Sequence, residues 1–168
     1  VLLIEEPTQA CVDFLTTSLP AELAVVKAKY AAGDAAASPA RNIVLNTPAV
    51  KFGKPEAPGF GMPVIYVYSP DTQLAEFGTS DTDHGDAQYN VVLNIDCYLV
   101  NDDNEASERV YARFAEAINN ILYRTQNLAA PAINVISVMP KRFIREHSAL
   151  SNSRVLRVDV AVRIESLY

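Results

Sequence analysis

Few residues of this 168-residue chain have types and spacings suited to chemistry. Asp83-His84-Gly85-Asp86 offers two carboxylates and an imidazole, the donor types of a divalent-metal site. Three donors on one loop, without helical or hairpin spacing to fix a polyhedron, are too few, so no metal is assigned. His147 has Ser148, Ser151 and Ser153 nearby. A hydrolase would need one of them activated by a base that a third group orients, and serines between two strand-like runs read more simply as turn residues. Gly59-Phe60-Gly61 lacks the third glycine of a dinucleotide loop and stands before a Pro-led strand. Cys11 and Cys97 are too far apart for a disulfide framework or zinc knuckle and read as small buried apolar residues. Lys141-Arg142-Phe143-Ile144-Arg145 is the one basic cluster, and it reads as a strand or hairpin whose charges suit an acidic neighbour. No catalytic, cofactor-binding or metal residue is assigned, and the chain reads as a non-enzyme.

The elements that would carry these residues follow from periodicity. Glu5, Glu6 and Pro7 suit a helix N-terminus. Cys11, Phe14, Leu15 and Leu19 recur at helical spacing, and Pro20 is expected to end that helix and begin a second over residues 21–30, with Leu23, Val26 and Tyr30 on one face. Residues 31–63 form a Pro/Gly-rich extended arm or loop, in which 43–45 and 50–52 can make short strands. Val64-Ile65-Tyr66-Val67-Tyr68 reads as a central strand, and residues 70–86 as a polar, acidic loop.

Residues 87–100 carry the cleanest alternation. Tyr89, Val91, Leu93, Ile95, Cys97 and Leu99 face one way, and Gln88, Asn90, Asn94 and Asp96 the other, which predicts a half-buried antiparallel strand. Asn101-Asp102-Asp103-Asn104 caps a helix over 105–125, with Val110, Phe114, Ala117, Ile118 and Ile121 as its buried stripe and Arg109, Arg113 and Glu116 as its wet one. Strands are expected at 132–139 and 155–164, the latter with Arg157, Asp159, Arg163 and Glu165 outward. The fold class is α+β: a mixed or antiparallel sheet with helices packed on one face, in a single domain over 1–168.

Composition narrows the function. Hydrophobic content of 49% is that of a globular chain, and a domain this size buries about 70% of its unfolded surface. A net charge of −6 argues against nucleic-acid binding by the overall field. No run approaches a membrane span, and the chain is expected to be soluble and made in a reducing cytoplasm.

The order of these features resembles the tail terminator (tail completion, head–tail joining) proteins of tailed bacteriophages. The residues that carry the resemblance are Leu19-Pro20-Ala21-Glu22-Leu23, the Pro-rich crossing, the strand opened by Pro63, the loop with Asp83-His84, the Tyr89-Asn90-Val91-Val92 strand, the helix rich in Glu, Arg, Tyr and Ala, and Arg157-Val158-Asp159-Val160-Ala161-Val162. It spans nearly the whole chain as a pattern of elements. It implies a virion structural subunit assembled in the host cytoplasm into a ring, commonly of six, which caps the tail tube and meets the head-side connector. DNA would pass through without specific binding, and no cofactor is implied. The interface residues expected for such a ring are Asp71, Glu76, Asp81, Asp83 and Asp86 on the acidic loop and Lys141, Arg142 and Arg145 as counter-charge. The alternatives are another neck or tail-tube ring component, or a small ligand-binding or enzyme subunit with residues 70–86 as a lid.

Overall fold

The computed structural model describes residues 5–36, 43–55, 61–70, 75–79, 87–100, 104–129, 134–148 and 153–166. Helix α1 (Glu5–Ala36) is one element of 32 residues with Pro20 inside it, where two helices were expected. The reason is visible in the buried stripe. Cys11, Leu15, Leu19, Leu23 and Val26 are all buried, so the four-residue step runs through Pro20 without losing phase. Proline there removes one backbone bond and crowds the carbonyl four residues back. Just before it, the hydroxyls of Thr16 and Thr17 donate to the carbonyls of Val12 and Asp13 at 2.8 and 2.9 Å, a pattern that bends helices. Packing of both halves on the same sheet outweighs the local cost.

The strands are β1 (Ala49–Phe52), β2 (Val64–Tyr68), β3 (Ala75–Thr79), β4 (Ala87–Tyr98), β5 (Asn134–Ser148) and β6 (Ser153–Ser166), with helix α2 (Glu105–Arg124) between β4 and β5. They form one mixed sheet in the order β1-β2-β4-β6-β5. Among the described strands, β1 and β2 are the one pair hydrogen-bonded in parallel. β2 and β3 share one edge of β4, end to end, and β6 takes the other from Ala87↔Ser166 to Cys97↔Leu156. Three expectations change. Residues 43–45 make no strand, although Ile43 is buried in the core. The acidic stretch contains β3, whose partner is the start of β4. The strand expected to stop at 139 continues to Ser148, carrying the basic cluster, with register shifts at Val135/Ser137 and Pro140/Arg142.

Both helices pack on one face of the sheet, as expected. α1 lies over β1 and β2, and α2 over β5 and β6. Between them are Leu93, Ile95, Val158, Val160 and Val162 from the sheet and Tyr111, Phe114, Ile118 and Leu122 from α2. Asn104 caps α2 by accepting a bond from the Ser107 amide at 3.0 Å.

The helices also meet each other through charge. Arg113 makes a two-pronged pair with Asp34 at 2.8 and 2.7 Å and stacks over the Tyr30 ring. Buried Glu22 accepts from Asn120 at 3.0 Å and from Arg124 at 2.8 Å. Glu116 accepts from Tyr30 at 2.6 Å and from Lys29. Arg113 and Glu116, expected on the wet stripe, instead form a polar seam with α1; Arg113 is buried because Asp34 neutralises it there.

Candidate functional site

The sheet's second face carries the groups with chemistry. Register aligns its side chains in rows: Tyr68–Asn94–Asp159–Arg142, and beside it Tyr66–Asp96–Arg157–Ile144. Alternation on β4 and β6 put Asn94, Asp96, Arg157 and Asp159 on the water side. In the structure Asn94 is buried and Asp96 is 2% exposed. Such a carboxylate needs a partner, and it has two. Arg157 donates to it through Nε at 2.7 Å and Nη2 at 2.9 Å, and the Tyr68 hydroxyl donates at 2.8 Å. Arg157 also pairs with Glu146 at 2.9 Å, and Arg142 with Asp159. Val64, Tyr98 and Val155 form a small apolar cluster at one end, where Tyr66 meets Tyr98 edge to face at 6.0 Å.

Beside this network is a pocket of about 460 Å³, lined by Phe52, Lys54, Tyr68, Ser69, Asn94 and Arg157 among others. Burial, with the Asp96 carboxylate adding to it, pushes the Tyr68 hydroxyl up to about 12. Tyr68 is therefore a hydrogen-bond donor at neutral pH and not a base. The hydrogen bonds that Arg157 makes to Asp96, with the charge of that carboxylate, hold its guanidinium in the charged form. Lys54 places its ammonium 5.9 Å from the Tyr68 ring centroid. The lining thus presents cations and neutral donors around an aromatic wall. Of this site, only the residue types were legible beforehand. That Asp96 faces Arg157 depends on strand register, which alternation alone does not set.

The expected interface residues divide into two groups. Asp71, Asp81, Asp83 and Asp86, with His84, lie outside the described residues. Glu76 is on β3, where the backbone alone is described. Lys141, Arg142 and Arg145 are on β5. Two of these cations have partners within the chain: Arg142 has Asp159, and Arg145 has Glu108 and the face of the Tyr111 ring at 4.5 Å. Exposed Lys141 lies 3.2 Å from the Met139 sulfur. Cys11 and Cys97 are free, fully buried thiols whose burial pushes them up, Cys11 to about 12. Among the described residues there is no group of three or more His, Cys, Asp or Glu able to hold a metal, and no helix long and apolar enough to cross a membrane.

No protein-family model matches the chain, and no curated protein matches it.

Proposed function

We propose that the chain is a structural virion subunit that assembles into a ring, six-fold by resemblance, at the head-proximal end of a phage tail tube and joins it to the head-side connector. The observation that carries this reading is the succession β4–α2–β5–β6 with α1 and α2 on one face of the sheet. It is the element order on which the resemblance to tail terminators rests. Two features support it further. The polar side chains at the helix seam and on the second sheet face are matched to one another, as suits a scaffold. The charge of −6 would be multiplied by every copy in a ring, and a negative channel lets DNA pass without adhering. The test is to image tails from a phage strain lacking this protein. Overlong tails, or tails that do not join heads, are expected. Tails of normal length that still join heads would remove the reading.

A second reading has one observation in its favour, the pocket beside Tyr68 and Arg157. It makes the chain a small ligand-binding subunit. Such a protein would remain a monomer and gain thermal stability from an anionic ligand, whereas the ring subunit would gain stability from its own concentration.

A further inference from the structure

The sheet ends in two unlike edges. Among the described residues no strand pairs with the outer side of β5, which is 15 residues long, or with that of β1. Edges this long are ordinarily blunted, and β5 has Pro140, Lys141 and a register shift at its middle. Beyond that break its pairing with β6 is uninterrupted from Arg142 to Ser148, leaving a regular edge there. On β1, the amides of Ala49 and Gly53 donate to Pro63 and Val67 of the β2 side. Alternation along a strand then turns the N–H and C=O of Val50 and Phe52 outward.

Three observations fit these edges to each other. The first is direction: β1 runs with β2, against β4, and β5 runs with β4, so β1 and β5 are antiparallel. A copy placed beside the first with its strands similarly oriented therefore meets it in the stronger, antiparallel pairing. The second is the apolar surface. Phe52 on β1 is 49% exposed and Phe143 on β5 is 37% exposed, each at the margin of the sheet. The third is the face they share. Phe52 is in register with Val67 and Phe143 with Val158, both core residues under the helices, so alternation assigns both positions to the helix side of the sheet, Phe52 at the strand end where it also borders the pocket beside Tyr68.

We propose that β5 of one copy pairs with β1 of the next, running the sheet on from subunit to subunit, with Phe143 against Phe52. The contact is heterologous, so it produces a ring where the rotation closes and a filament where it does not. The occupant, a second copy of this chain, rests on the ring reading above; the joint itself replaces the acidic loop as the main contact. Backbone bonds chiefly hold it, with the rings adjoining, so it survives replacement of the rings and persists when salt is raised.

The test uses the purified chain with Phe52→Cys and Phe143→Cys together, treated with a short thiol cross-linker; the native thiols are buried. A ladder of covalent dimers, trimers and larger species is expected from the double variant, undiminished at high salt, and monomer from each single variant. Thermal melting confirms folding of all three. A second variant, Val50→Pro, removes an outward N–H that β2 does not use and is tolerated on an edge. It is expected to weaken self-association about tenfold or more, the equivalent of one or two lost hydrogen bonds. Absence of the ladder overturns the joint, as does a dimer from Phe143→Cys alone, which would place two β5 edges across a two-fold axis. Loss of the ladder with overlong tails in the deletion strain removes the joint and leaves the ring reading. A ladder with normal tails does the reverse.

Discussion

Asp96 accepts two bonds from Arg157 and one from Tyr68 at a position almost closed to water. Removing it strands the guanidinium. Asp96→Ala is expected to cost about 3 kcal/mol in urea unfolding, toward the low end for a broken buried pair because Arg157 keeps 27% of its side chain in solvent. Replacing both partners by Leu and Met should cost less than the sum of the single changes, since neither charge is then left alone. Tyr68 gives a pH test. An unfolded tyrosine ionises near 10, whereas the folded one is pushed to about 12. Between those values the unfolded chain has lost a proton that the folded one keeps, so stability falls as pH rises through this window. Tyr68→Phe should flatten that part of the stability curve. The sequence showed these residues only as the polar phase of two strands. It could not show that the phase is buried, because what covers a sheet face and which residues stand opposite are both tertiary facts.

Among the elements, α2 was the most legible: its cap, its length and its stripe follow from local rules, and Phe114 is in the core. Phe114→Asp should cost several kcal/mol by chemical denaturation, since it buries an unpaired charge. α1 was misread at Pro20 because proline rules are local, while the phase of Leu19 and Leu23 belongs to the sheet beneath. Pro20→Ala should restore a backbone bond and raise stability by roughly 1–2 kcal/mol, less than the full proline penalty because the unfolded chain becomes freer. The seam between the helices has its own acid signature. Bonds from Lys29 and Tyr30 hold the Glu116 carboxyl below its ordinary 4.5. Its contribution is complete above that value and is lost as pH falls through the folded one, so Glu116→Gln should reduce the steepness of acid unfolding. β3 was missed because Gly78 and the acids around it read as loop; its strand state comes from the edge that β4 offers.

At the scale of the whole molecule, the two modes of assembly separate by salt. Reversing the charges of Asp81 and Asp83 together should weaken docking more at low salt than at high salt if the acidic stretch is the contact, because exposed pairs are screened within about 10 Å at 0.1 M. Sedimentation that is indifferent to both the reversal and the salt would favour the sheet edges. The element order and the helix layer were readable from periodicity, whereas the edges became visible only with strand order, which no local pattern encodes. The helix seam has a further consequence, in time rather than in space. Glu22 is 102 residues before Arg124, and α1 leaves the ribosome ahead of every element it packs on. Part of its apolar stripe can settle once β1 and β2 are made, but its buried acid has no partner until α2 has emerged. At ordinary synthesis rates that wait lasts roughly 5–20 s, long enough for a nascent-chain chaperone to bind. Slow codons between α1 and α2 would lengthen the exposure, and fast ones would shorten it, without changing a single contact in the finished fold.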